Sequence, residues 1–197
     1  MRRQLVRFSL VCILLPAMSG CTSVLQRAPV ATLHDLGSVR SALPLRAAPA
    51  AIDVRAPGWL DTTAIHYRLA YESGTERRSY AYSRWAATPA ELLQVALRRM
   101  LDGPGVQGSC RLVVDIDEFI QIFEQPVQSR VLISGSAALV DSAGRRVVDR
   151  MRFSLTEDAR TADVAGGVTA LSRAVDVLGE RLAGWVDTTA GKGRCGE

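Results

Sequence analysis

The sequence predicts an α+β fold, a mainly antiparallel sheet with two helices packed on one face, and three observations carry that expectation. Segments with apolar side chains at every second residue cluster along the chain, which is the period of strands with one face on a core. Two segments, residues 88–101 and 164–185, instead repeat apolar residues at threes and fours. The last two strand segments are linked by Asp141-Ser142-Ala143-Gly144, a short polar hairpin connection. A β-sandwich is the alternative architecture, and the two strong helices count against it.

Residues 1–20 read as an export signal. Arg2, Arg3 and Arg7 precede an apolar run, residues 8–17, that is too short to span a bilayer. The run ends in Met18-Ser19-Gly20-Cys21, two small residues before a cysteine, which looks like a bacterial lipobox. In such signals the thiol receives a diacylglycerol, the chain is cut before the cysteine, and the new amino terminus is acylated. Cys21 is therefore the expected lipidation site and the first residue of the mature protein. Several acyl chains, at roughly 0.8 kcal/mol per buried methylene, hold a protein at a membrane without crossing it. The alternative is a soluble secreted protein whose signal happens to end near a cysteine.

Residues 21–29 are small and polar enough for a tether, residues 30–190 form the expected domain, and 191–197 a tail. Within the domain, 30–36 predicts a first strand and 37–50, rich in Ala and Pro, a surface loop. Residues 51–56 alternate as a strand until Pro57-Gly58 stops them. Residues 65–71 and 80–85, separated by a turn at Gly74, predict a hairpin with a loop longer than two residues. Thr88-Pro89-Ala90-Glu91 is a capping box with Pro in the first turn, so a helix starts there. Its buried stripe is Leu93, Ala96, Leu97, Met100 and Leu101, and Gly103-Pro104 ends it. Strands follow at 111–123, 130–140 and 147–155. In the last helix Val164, Val168, Leu171, Val175, Leu178, Leu182 and Trp185 form the apolar stripe, with Arg173, Asp176 and Glu180 off it. A coiled coil would share that spacing, but beside six strands a helix lying on a sheet is the simpler reading.

Charge excludes one class of partner. With residues 1–20 removed, 21 basic residues face 20 acidic ones, a net charge of +1 that gives no support to nucleic-acid binding. With Cys12 discarded and Cys21 acylated, Cys110 and Cys195 remain as a pair in an oxidising compartment, and a disulfide between them is expected. Two free thiols are the alternative. A metal site lacks support, because neither cysteine has a cysteine or histidine at ligand spacing.

Catalytic signatures are equally sparse. Gly103-Pro104-Gly105-Val106-Gln107-Gly108 matches G-x-G-x-x-G, yet it leaves a helix and enters a strand, the reverse of the dinucleotide-binding context. His34 beside Asp35 would need a distant serine to make a triad. Asp115, Asp117 and Glu118 would serve as paired acids or cation ligands, or as a solvated strand face. No cofactor site is expected. Trp59, Leu60, Tyr80, Tyr82 and Trp85 concentrate apolar and aromatic surface in the first half of the domain, and are candidate partner or lipid contacts; core packing is the competing role.

The residues that carry a resemblance are spread along 30–186: Leu33-His34-Asp35-Leu36, Pro57-Gly58-Trp59-Leu60-Asp61 leading into Ile65-His66-Tyr67-Arg68, residues 80–86, and the last helix. In these the chain resembles the ABC-type transport auxiliary lipoprotein family, which includes PqiC-like lipoproteins. The resemblance implies a non-enzymatic periplasmic lipoprotein working beside an ABC permease and ATPase and an MCE-domain protein. Such systems are thought to move phospholipids or other hydrophobic molecules between the two envelope membranes. Thr22 and Ser23 after Cys21, with no Asp, favour outer-membrane sorting by the enteric rule. Self-association into a homo-oligomer stays open, as do a scaffold role on peptidoglycan or another envelope complex and an envelope hydrolase.

Overall fold

The computed structural model describes residues 30–38, 42–102, 106–141, 146–192 and 195, so residues 1–20, Cys21 and the 21–29 tether lie outside the described residues. The chain divides into two units after Val30, and the second, residues 31–197, carries the elements of the domain. They run β1 (Thr32–His34), β2 (Ala47–Ala48), β3 (Ala51–Arg55), β4 (Ala64–Leu69), β5 (Arg78–Trp85), α1 (Pro89–Leu101), β6 (Val106–Gln107), β7 (Cys110–Gln125), β8 (Gln128–Asp141), β9 (Val147–Asp158) and α2 (Val164–Gly191).

Both helices begin where side chains satisfy the orphan amides of a first turn. At α1, the Thr88 hydroxyl accepts from the Glu91 N–H at 3.4 Å, and the Glu91 carboxylate accepts from the Thr88 N–H at 2.9 Å. Arg98 and Arg99 then lie in the last turn, where cations suit the helix dipole. At α2, the Asp163 carboxylate accepts from the Gly166 N–H at 2.7 Å, which holds its pKa below the usual range.

The sheet order is β1-β5-β4-β7-β8-β9, with β3 also paired to β7. The pairs β4–β5, β7–β8 and β8–β9 are antiparallel. In contrast, β1–β5, β3–β7 and β4–β7 are parallel. The sheet is thus mainly antiparallel, as expected, but mixed rather than purely so, and the reason is local. β3 and β4 run end to end along one edge of β7, opposite Arg111–Asp115 and Gln121–Phe123 respectively. Pro57-Gly58 interrupts what would otherwise be one long strand beside β7, and the connecting residues 56–63 turn Leu60 into the core.

Along β8 the alternation is complete. Val131, Ile133, Ala137 and Leu139 join a core shared with the inward residues of β3, β7 and β9 and with both helices. Leu132, Ser134, Ser136 and Ala138 point to the other face, where no helix contributes to that core. Both helices therefore lie on one face, as the apolar stripes of α1 and α2 require. Cys110 and Cys195 are joined by a disulfide that ties the start of β7 to the segment beyond α2, across 85 residues of sequence. Two elements had no sequence signal: β2 and β6 pair in parallel over two residues each, beside that disulfide.

Candidate functional site

The contact residues expected from sequence separate into two groups. Leu60 and Trp85 are 0 % and 2 % exposed, members of the core with Trp85 edge-on to Phe119 at 5.6 Å, so they are not available as contact residues. Trp59 and Tyr82 are 48 % and 62 % exposed. Tyr80 is half-buried and serves as a structural link between the two groups.

Tyr82 is exposed because β5 bulges. Three residues of β4, from Ala64 to His66, stand against six of β5, from Arg84 back to Ser79. The excess chain leaves the ladder, as in other bulges that re-aim a side chain. The Arg84 guanidinium closes the distortion by donating to the carbonyl oxygens of Tyr80 and Ser83. On its core side the bulge is pinned by Tyr80. Its ring lies 4.7 Å from that of Tyr67, which meets Phe123 at 5.8 Å, and its hydroxyl donates to Gln121 Oε1 at 2.9 Å. Gln121, 1 % exposed, in turn donates to Ser129 Oγ at 2.8 Å and to the Asp163 carbonyl at 3.1 Å. Burial raises the Tyr80 pKa, with Tyr67 and Asp163 adding to it, so the phenol stays protonated and keeps donating.

On the opposite face of the sheet, Trp59 carries the Arg77 guanidinium 4.2 Å above its ring. Arg77 donates to Glu118 at 2.5 Å, and Arg68 approaches the same carboxylate at 3.5 Å. Glu118 is thus shared by two cations at partly buried positions, and it orients the arginine that supports Trp59. His66 lies beside them, its pKa lowered by burial first and by Arg77 second, and both its ring nitrogens are buried without a hydrogen-bond partner among the described residues. A neutral imidazole is what this surrounding tolerates. The arrangement offers an aromatic plate backed by a fixed cation, suited to contact with another surface.

Catalytic readings gain nothing from the geometry. His34 Nε2 is 3.4 Å from Ser83 Oγ, but the Asp35 carboxylate accepts from the Gly37 N–H at 2.7 Å in a turn closed at φ +67°, so Asp35 is engaged there rather than orienting the imidazole. Asp115 and Asp117 are exposed on β7, while Glu118 is held by arginines. No group of three His, Cys, Asp or Glu capable of holding a metal is found among the described residues. Gly103-Pro104-Gly105 lies outside the described residues, and Gly108 is fixed by packing: a Cβ there would meet the Cys195 carbonyl oxygen at 2.8 Å. No helix among the described residues is long and apolar enough to cross a membrane.

Residues 46–183 match the protein family described as ABC-type transport auxiliary lipoprotein component. The chain belongs to that family, and its role is that of an auxiliary, transport-associated lipoprotein of the cell envelope. No curated protein matches the sequence significantly. Among solved structures, a Xanthomonas campestris protein of family DUF330 is similar, with a TM-score of 0.71 at 20 % identity, over 82 % of this chain and 98 % of that one. A second crystal structure, of an uncharacterized protein, gives 0.63 at 15 % identity over 80 % and 99 % of the two chains. At these identities the likeness concerns the fold, which recurs over nearly the whole of both relatives.

Proposed function

We propose that this protein is a non-catalytic, acylated component that links an ABC transport system to a membrane of the envelope and meets its partner through its exposed aromatics, Trp59 and Tyr82. The observation that carries the reading is the family match over residues 46–183, which makes the chain an auxiliary transport lipoprotein. The finer assignment goes further. Acylation at Cys21 anchors the domain to the outer membrane, facing the periplasm. The partner is an MCE-domain protein with its ABC permease and ATPase, and the cargo is phospholipid or another hydrophobic molecule moved between the two membranes. Support for a docking role comes from the two exposed aromatics. Trp59 is stacked on an arginine held by Glu118, and Tyr82 is lifted out by a bulge, so a large apolar face is presented in each case with little side-chain entropy left to lose.

Crosslinking and affinity purification of the full-length acylated protein from its own envelope, with mass spectrometry of proteins and lipids, tests the reading. Recovery of an MCE protein with a permease or ATPase is expected. Recovery of peptidoglycan or an unrelated envelope complex instead, from folded and acylated material, would overturn it in favour of a scaffold role.

A further inference from the structure

The sheet face turned away from the helices carries a trough with arginines on both walls. The register sets it up. At one level across the sheet, Asp53, Val113, Ala138 and Arg150 stand side by side on β3, β7, β8 and β9; at the next level stand Arg55, Asp115, Ser136 and Arg152. Val113, Ala138 and Ser136 thus lie on the two middle strands, with Arg55 on one flank, Arg150 and Arg152 on the other, and Arg111 of β7 one level further along. With neighbouring strands about 4.8 Å apart, the outer two are roughly 14 Å apart, a width that arginine arms close from both sides. The result is a groove of about 290 Å3 lined by Arg55, Arg111 and Arg150, by the carboxylate-bearing Asp115, and by apolar Val113, Ala138, Val140 and Val147.

Its charge is unbalanced. Arg111 pairs with Asp53. Arg55 and Arg150 are exposed, and no side-chain ion pair of theirs is found among the described residues. Four guanidiniums, counting Arg152, stand against the two carboxylates of Asp53 and Asp115. Planar guanidiniums match the oxygens of a phosphate in pairs, and their mutual repulsion falls when they share an anion. The floor is not polar: Val113 is 9 % and Val147 40 % exposed, so the same groove offers apolar contact next to the anion position.

We propose that this trough binds the phosphate of an anionic glycerophospholipid, held between Arg55 and Arg111 on one side and Arg150 on the other, with the glycerol and first methylenes over Val113, Val140 and Val147. The source of the ligand rests on the lipid-transport reading; the anion site rests on the arginines alone. The volume suits one headgroup rather than an acidic polypeptide, and the net charge of the mature chain gives no wider basic surface for a nucleic acid.

Native mass spectrometry of the full-length acylated protein released from neutral detergent, with phosphatidylglycerol, phosphatidylcholine or inorganic phosphate added, tests the proposal. One saturable phosphatidylglycerol adduct is expected, competed by phosphate. The double variant Arg55→Gln/Arg150→Gln should weaken it by about tenfold or more, since each lost charge-assisted contact is worth roughly that factor. Both arginines are exposed, so the thermal midpoint should not move. The control Arg99→Gln/Arg181→Gln, with the same change in charge on the two helices, should bind as the parent does. Equal binding by the double variant, equal loss in the control, or binding of phosphate without phospholipid would each overturn the assignment. Partner recovery from the envelope reads the transport role separately, so failure of one does not imply failure of the other.

Discussion

Gly135 of β8 lies so close to the backbone of Asp115 on β7 that a Cβ built on it would meet the Asp115 carbonyl oxygen at 2.1 Å and the Phe153 ring at 2.9 Å. The pairing explains the approach: Gly135 stands opposite Ile116, immediately before the register shift between Ile116 and Glu118. Backbone cannot move aside as a flexible side chain can. Gly135→Ala should therefore destabilise the domain by about 3 kcal/mol or more through overpacking, read as a lower urea midpoint. An unchanged midpoint would mean that the bulge relaxes freely.

Gln121 is the buried hub that joins β5, β8 and the start of α2, accepting from Tyr80 and donating to Ser129 and the Asp163 carbonyl. Gly167 leaves it room, because a Cβ there would lie 2.0 Å from Gln121 Oε1. Gln121→Leu keeps the volume and strands the Tyr80 hydroxyl and Ser129. A loss of about 1–3 kcal/mol in chemical unfolding is expected. Tyr80→Phe in the Gln121→Leu background should cost less than in the parent, a coupling that a double-mutant cycle detects.

Cys110 and Cys195 close a loop of 85 residues in sequence separation. In the chain-entropy model, opening a loop of this length lowers stability by about 4 kcal/mol. Cys110→Ser/Cys195→Ser, or reduction of the parent, should show that loss in equilibrium unfolding, and the doubly substituted protein should no longer respond to reductant.

His66 gives the domain a pH response of known sign. Its pKa is lowered by burial and by Arg77, so the unfolded chain binds a proton that the folded chain refuses. This contribution is fully present above the ordinary histidine value, about 6.5. It is lost as pH falls from there toward the depressed folded value. Stability measured by unfolding between pH 7.5 and 5, conditions chosen for that window, should decline in the parent. The decline should be shallower in His66→Gln, and an identical slope would remove His66 from the explanation.

Much of the fold is written in local pattern. Thr88-Pro89-Ala90-Glu91 marks the start of α1 because a capping box is a contact among near neighbours, and the stripe from Val164 to Trp185 sets α2. The β7–β8–β9 meander follows from alternation and a polar link. What stays hidden depends on long-range register. Parallel pairing of β3 and β4 to β7 has no local signature, since it requires knowing where Pro57-Gly58 sends the chain. The bulge at Tyr82 is fixed by Arg84 reaching backbone carbonyls, and the shift before Glu118 turns an apparently solvated acid toward Arg68 and Arg77. Leu60 and Trp85 show the same limit at single residues: an aromatic-rich stretch does not say which rings are core.

The central claim, that exposed Trp59 and Tyr82 meet a transport partner, is tested most directly by photo-crosslinking in the living envelope. A benzophenone amino acid is placed at Trp59, at Tyr82 and, as a control, at exposed Arg181 of α2. The account predicts adducts between the first two positions and a component of the ABC transport system, and none from Arg181. Adducts to that component from Arg181 but not from Trp59 or Tyr82, in protein shown to be acylated and folded, would contradict it.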